Sequence, residues 1–258
     1  MIKNNWNLIG KKAVVTGAAN GIGLAITELF LELGAQVLMV DISQNALTLE
    51  KSRLIKQNYL VDIIAADISN IREQDLILAK ANSFFGGVDI LVNNVGINIR
   101  KSTLEYTSED FHKIITVNLE AAFNLSRKLY PLLKLSKSAS IINMSSIASI
   151  IVNRFSGPLY SMSKAALEQM SNYLAVEWAS SGIRVNSVHP GSIRTALSTE
   201  VLSRSPDMET KIINAIPLGR IADPIEVANV VGFLAMPVSS YITAANLVID
   251  GGFTKLGF

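Results

Sequence analysis

Cysteine is absent from the 258 residues, and histidine occurs only as His112 and His189. The first absence excludes disulfides and thiolate metal sites, and the second leaves too few imidazoles for a histidine metal cluster. An excess of either charge is missing too. The 23 basic and 21 acidic residues are spread along the chain and leave a formal net charge of +2. Without a basic stripe or an acidic tail, the composition gives no reason to expect nucleic acid as a partner. No stretch reaches the roughly 18 apolar residues of a membrane span. The opening Met-Ile-Lys-Asn-Asn-Trp-Asn-Leu-Ile-Gly-Lys-Lys holds no uninterrupted apolar core or small-residue cleavage site, so it does not resemble a signal peptide. Internal repeats and low-complexity linkers are absent as well. A Gly-x-Ser-x-Gly elbow is also missing, which argues against a hydrolase. With 49% hydrophobic and 17% charged residues, the chain can bury a large core. We expect one α/β domain spanning 1–258, located in the cytoplasm, with a small molecule as its partner and neither nucleic acid nor membrane.

What is present is an alternation of short apolar runs with helical patterns. Lys12 to Thr16 reads as a first strand, and Gly17-Ala18-Ala19-Asn20-Gly21-Ile22-Gly23 follows it directly, ahead of a helix running to about Leu33. Strand, glycine turn and helix form a phosphate-binding arrangement, because glycines let the backbone approach a pyrophosphate while the helix N-terminus supplies N–H groups and partial positive charge. The bland alternative is a tight turn with no ligand. Gln36 to Val40 makes a second buried strand ending in Asp41, where a dinucleotide site keeps its ribose-reading acid. Asp41 or Ser43 can equally cap the next helix. A third strand from Tyr59 to Ala65 leads to Asp67-Ile68-Ser69, and a fourth from Val88 to Val92 leads to Asn93-Asn94-Val95-Gly96. The side-chain amides there can tie neighbouring strands together. A long helical pattern from Ser108 to about Leu133 carries Asn118 in its middle, and a buried amide there needs a hydrogen-bonding reason.

Ala139 to Met144 reads as a fifth strand with Ser145-Ser146 at its carboxyl end, the side on which an open parallel sheet places its ligand crevice. A serine there can orient a carbonyl, although simple turn chemistry also accounts for the pair. Tyr160-Ser161-Met162-Ser163-Lys164 then puts a phenol and an ammonium one helical turn apart on a shared face. A nearby cation lowers a tyrosine's affinity for its proton, so the pair suggests proton exchange with an alcohol or ketone. Taken alone, it also fits a packed tyrosine beside a solvated lysine. Ile183 to Val188 is a sixth strand, closed by His189-Pro190-Gly191-Ser192-Ile193-Arg194-Thr195. We read His189 as a packed or solvent-facing turn residue and His112 as surface. Residues 192–216 look like a substrate lid. Pro224 opens a helix, and Asn246 to Ile249 is a last strand before Asp250-Gly251-Gly252.

From Leu8 to Phe258 these motifs, in this order, resemble the short-chain dehydrogenase/reductase family. They are Thr16 to Gly23, Asp67, Asn93 to Gly96, Asn118, Ser145-Ser146, Tyr160 with Lys164, Pro190-Gly191 with Thr195, and Asp250-Gly251-Gly252. The tail from Ser239 to Thr254 looks most like the tropinone-reductase-like branch. The resemblance implies a Rossmann-type doubly wound α/β fold of about seven parallel strands with helices on both faces. It also implies hydride transfer between a nicotinamide cofactor and a secondary alcohol or ketone. Tyr160 would be the acid/base, Lys164 would lower its pKa and hold the nicotinamide ribose, Ser146 (or Ser145) would polarise the substrate oxygen, and Asn118 would anchor a proton-relaying water. Cofactor contacts would come from Gly17, Asn20, Gly21, Ile22, Gly23, Asp41, Asp67, Ile68, Asn94, Val95, Gly96, Tyr160, Lys164, Pro190, Gly191, Ile193 and Thr195.

The Asp41 carboxylate would repel a 2′-phosphate, so NAD(H) is the expected cofactor, with NADP(H) as the alternative. Two departures stand out: Val95 replaces the family's usual alanine, and the loop from Ser146 to Tyr160 is a residue longer. By resemblance the substrate pocket is walled by Ile97, Ile99, Ile147, Ile150, Ile151, Val152, Leu159, Leu197, Val201 and Leu202, with Arg100, Asn153 and Arg154 as solvated polar neighbours. That wall predicts a neutral, compact substrate. A 3-oxoacyl thioester reductase is the runner-up, and a non-catalytic nicotinamide-binding protein is opposed by the intact set of Asn118, Ser146, Tyr160 and Lys164. The family also implies a homotetramer.

Overall fold

The computed structural model describes residues 5–152, 156–196, 198–199 and 206–256. Seven strands form one sheet: β1 (Lys12–Thr16), β2 (Gln36–Asp41), β3 (Val61–Ala65), β4 (Ile90–Asn93), β5 (Ala139–Met144), β6 (Ile183–Pro190) and β7 (Asn246–Ile249). Their order is β3-β2-β1-β4-β5-β6-β7, and every neighbouring pair is parallel. The chain moves outward from β1 in one direction to β3 and then returns to build the other half from β4. The crevice beyond the carboxyl ends of β1 and β4 is therefore the topological switch point, where open α/β sheets take their ligands.

The helices given whole by the described residues are α1 (Gly21–Glu32), α2 (Gln44–Ile55), α3 (Ile71–Phe85), α4 (Ser108–Ile115), α5 (Ala121–Leu135), α6 (Pro158–Trp178), α7 (Pro206–Asn214) and α8 (Pro224–Ala235). Alternating strand residues serve the two faces. Val15, Val37 and Met39 meet α1, α2 and α8, whereas Val14, Leu38 and Val40 meet α3, α5 and α6. Burial on both faces explains why these strands read as continuous apolar runs.

The structure shifts some predicted boundaries. Asn58 takes a left-handed conformation (φ 64°) after α2, so β3 starts at Val61 instead of Tyr59. Strand β6 continues through His189 to Pro190 because both pair with β7. The helix predicted from Ser108 to Leu133 is broken by a π turn at Thr116–Glu120, which holds Asn118. Of the predicted lid, α7 is seen, and its Met208, Ile212 and Ile213 pack with Ile216, Ile221 and Phe253. Asn153, Arg154, Leu197, Val201 and Leu202 lie outside the described residues. Past β7, Gly251 (φ 63°) and Gly252 (φ 90°) turn the chain while the Asp250 carboxylate accepts the N–H groups of Gly252 and Thr254.

Candidate active site

The glycine turn after β1 is built for close approach. Gly17 and Gly21 have left-handed φ values of 62° and 54°, and a Cβ on Gly23 would sit 2.0 Å from the Gly17 carbonyl oxygen. Asn20 precedes α1 without capping it through its side chain, so the first-turn N–H groups of α1 lack that partner. Asn94 ties β4 to this turn. Its Nδ2 donates to Thr16 O (3.0 Å) and Gly17 O (3.3 Å), and its N–H donates to Thr16 Oγ1 (2.9 Å). Val95, the departure from alanine, fills the space beneath the turn, with its Cγ2 3.2 Å from a Cβ placed on Gly17.

A cavity of about 940 Å³ opens above this turn. Gly17, Asn20, Gly21 and Ile22 floor it, while Asp41, Asp67 and Ile68 border one end and Asn94, Val95, Gly96 and Thr195 the other. The Asp41 carboxylate accepts N–H bonds from Ala19 and Ser43, both at 3.1 Å, and the Ser43 hydroxyl caps α2 through Ala46 N–H. The two residues thus divide the roles left open by the sequence: Ser43 caps, and Asp41 faces the cavity from a fixed position. Asp67 is held in a turn by the Ser69 N–H (2.9 Å) and hydroxyl (2.7 Å). Glu109, His112 and Lys113 of α4 also line this cavity. Sequence reasoning read His112 as surface, and it is exposed, but nothing in the local pattern showed that α4 would reach the crevice.

A second cavity, of about 450 Å³, shares Ile22, Asn94, Gly96, Ile97 and Thr195 with the first, so the two form one cleft. Tyr160 and Lys164 enter it from the first turns of α6, which Pro158 opens at a position where its missing N–H costs nothing. Lys164 is buried. Its Nζ donates to the Met144 carbonyl (2.7 Å) and stands 5.7 Å from the Tyr160 ring centroid. Burial brings its pKa down to about 8. For the phenol, burial pushes the pKa up, while the Ser146 hydroxyl and the Arg100 charge pull it the other way. The Lys164 ammonium donates to the Met144 carbonyl, and for the phenol burial outweighs the groups that favour the phenolate.

Geometry also separates the two serines. Ser145 is buried and donates its hydroxyl to the Lys164 carbonyl (3.0 Å). Ser146 Oγ accepts Ala148 N–H (3.1 Å), and its hydroxyl is directed toward Tyr160. Asn118 is buried for a clear reason: its Oδ1 accepts Ile97 N–H (2.8 Å), and its Nδ2 donates to Ile97 O (2.9 Å) and Ser163 Oγ (3.0 Å). The amide thus clamps the chain after β4 onto α6. Gly96 lets Lys164 Nζ come close, a Cβ there lying 2.9 Å from it and 3.5 Å from Asn118 Oδ1. Pro190, Gly191, Ile193 and Thr195 complete the wall, and Asp250 leaves no room for a side chain on Gly191, a Cβ there lying 2.9 Å from its Cβ.

The predicted oily wall is only partly correct. Ile97 and Ile147 line the substrate end, but Ile150 and Val152 are exposed, and Ile99, Ile151 and Leu159 do not reach it. Their places are taken by Met144, Ile193, Met208, Ile212 and Ile221. Arg100 is exposed, as expected for a solvated loop arginine, and it also borders the cavity with Asn98, close enough for its charge to act on Tyr160. Loop residues carry no periodicity, so the sequence could locate these loops but not which of their side chains turn inward.

A dinucleotide cradle at a switch point, joined to a phenol, an ammonium and a serine hydroxyl, defines a Rossmann-type oxidoreductase site. A family model described as enoyl-(acyl carrier protein) reductase matches residues 17–254. A tropinone reductase homolog of Arabidopsis thaliana is 41% identical over 254 residues, covering 98% of this chain and 96% of its own. L-Sorbose reductase from Gluconobacter frateurii, solved with NADPH and L-sorbose, superposes with a TM-score of 0.91 at 31% identity over 98% of this chain and 100% of its own. A gluconate 5-dehydrogenase from Burkholderia cenocepacia, solved with NADP and tartrate, superposes with a TM-score of 0.92 at 25% identity over 98% and 99%. The chain belongs to the short-chain dehydrogenase/reductase family and is an oxidoreductase of that family.

Proposed function

We propose that this chain, read as one dinucleotide-binding and catalytic domain, interconverts a secondary alcohol and its ketone using a nicotinamide nucleotide. The observation that carries the proposal is the shared wall: Tyr160, Ser146 and Lys164 converge in a cavity continuous with the glycine cradle. A nicotinamide nucleotide fits that cradle because Gly17, Gly21 and Gly23 clear the approach to α1, and bound there it supplies or accepts the hydride. Its adenosine would lie against Asp41, Asp67 and Ile68, and its nicotinamide end against Gly96, Pro190, Gly191, Ile193 and Thr195. In the reductive direction, the Ser146 hydroxyl donates a hydrogen bond to the substrate carbonyl, and the Tyr160 phenol gives its proton to the same oxygen as it becomes an alcohol. Lys164 holds the cofactor ribose and stabilises the phenolate that is left. Asn118 Oδ1 keeps one lone pair on the Gly96 side, where it can hold a water toward Lys164 Nζ.

The test is to mix the protein with NADH or NADPH and a panel of ketones and alcohols and follow the reduced nicotinamide absorbance. Turnover is expected with Tyr160→Phe at least ~100-fold slower at unchanged cofactor affinity, since the ring still packs while the proton donor is gone. Near-normal turnover in that variant would move the chemistry elsewhere.

Asp41 supports NAD(H) as the preferred cofactor, although both solved relatives described above hold the phosphorylated form. The apolar side chains Ile97, Ile147, Ile193 and Ile221 support a neutral, compact substrate. Arg100 favours one second reading, a thioester-linked 3-oxoacyl substrate whose acidic carrier it would steer. Turnover confined to such thioesters, falling with salt and with Arg100→Glu, would establish that reading. The lack, among the described residues, of any helix long and apolar enough to cross a membrane fits the cytoplasmic location we propose.

A further inference from the structure

The mechanism above leaves one buried titratable group unused. His189, at the end of β6, is fully buried. Its Nδ1 lies 2.9 Å from Ser149 Oγ and 3.2 Å from the Ser146 carbonyl oxygen. On the other side, Nε2 lies 3.2 Å from Ser187 Oγ and 3.8 Å from Glu168 Oε2. A carbonyl can only accept, so the Ser146 contact puts the ring proton on Nδ1. The Ser149 hydroxyl lies 2.8 Å from the same carbonyl and 3.2 Å from Glu168 Oε2, and Asn246 Nδ2 of β7 holds Glu168 Oε1 at 3.1 Å. Glu168 stands one turn beyond Lys164 and two beyond Tyr160, on the same face of α6. A closed polar ring therefore joins the turn bearing Ser146, the helix bearing Tyr160, and the strand that runs directly into Pro190 and Gly191 of the cleft wall. Burial drives the imidazole pKa down while the Glu168 charge opposes it.

We propose that His189 is a positioning residue for the reaction. Through its Nδ1–H it holds the Ser146–Ser149 turn and so fixes where the Ser146 hydroxyl stands relative to the Tyr160 phenol. The proposal rests on the reading of Ser146 as the group that orients the substrate oxygen. Small displacements of such a group cost rate without costing cofactor affinity, because the glycine cradle is untouched.

The test compares His189→Leu with His189→Asn in kcat, both KM values, cofactor binding by fluorescence, and thermal stability, using the best substrate from the panel. His189→Leu should lower kcat about ten-fold with cofactor affinity within about two-fold, and His189→Asn, whose amide N–H can replace the Nδ1 donor, should restore most of the loss. A packing role alone would rank them the other way, because a buried apolar site tolerates leucine better than an amide. Full activity in His189→Leu, or His189→Asn no better than His189→Leu, overturns the proposal. Where His189→Leu does not fold, Ser149→Ala carries the test: a several-fold fall in kcat supports the brace, and an unchanged kcat overturns it. Ser146→Ala separates the two ideas. If it keeps its activity, the reading of Ser146 falls; if it is inactive while His189→Leu is fully active, the brace alone falls.

Discussion

Burying an ammonium raises the energy of its charged form, and at Lys164 the effect is large. Its pKa falls to about 8 in the folded chain from 10.5. The unfolded chain therefore binds more protons than the native one between these values, and stability rises with pH through that window; below pH 8 the full penalty applies. A shift of that size corresponds to about 3 kcal/mol, against which the loss of a donor to Met144 O would count about 1 kcal/mol. Lys164→Met is accordingly expected to be more stable than the parent by about 2 kcal/mol at pH 7, with the advantage fading by pH 10, while losing turnover. Urea denaturation of the cofactor-free protein at the two pH values measures this directly. Asp41 supports a second prediction at this scale. Its carboxylate is pinned by Ala19 and Ser43 and so cannot swing aside from a 2′-phosphate at no cost. Asp41→Ser should raise the kcat/KM ratio of NADPH to NADH at least about ten-fold.

Among the elements, the start of α6 and the chain after β4 depend on each other. Gly157 precedes the helix, and a Cβ there would lie 1.9 Å from the Tyr106 hydroxyl and 3.0 Å from Ile99 O, while Tyr106 itself donates to Ile99 O at 2.6 Å. Gly157→Ala should therefore displace Tyr106 and loosen the turn that presents Tyr160. A loss of about 1–3 kcal/mol is expected, the usual cost of overpacking. Tyr106→Phe removes the atom in closest conflict, so the double variant should recover part of that loss in a denaturation cycle. Purely additive effects would show that the two segments are not coupled through this contact.

For the molecule as a whole, the exposed apolar side chains are the informative feature. Tyr173 and Val176 of α6 are 71% and 78% exposed, and Phe123 of α5, beneath Arg127, is 38% exposed. Monomeric proteins seldom leave adjoining helices in this state, and a two-fold axis between copies would cover such a face. We propose a homotetramer on the strength of this face and the family. Light scattering at micromolar concentration should give about four chain masses, and Tyr173→Lys with Val176→Lys should lower that number. A monomeric parent protein would exclude it.

The sequence by itself determined the class of fold and pointed to the groups proposed to react, because both signals are local. Burial on both faces writes continuous apolar strands, left-handed turns require Gly17 and Gly21, and Tyr160 and Lys164 share a helix face through spacing alone. Tertiary structure decided everything that depends on residues distant in the chain. It committed Ser145 to the Lys164 carbonyl and set the Ser146 hydroxyl toward Tyr160, broke the predicted long helix at Asn118 so that its amide could clamp Ile97, and brought α4 to the cleft. It also set Arg100, still exposed, at the rim of the cleft and joined His189 to Ser149. None of these contacts has a period or a motif. Each comes from where the sheet order places one loop against another, and the same packing buried Lys164, which brings its pKa down.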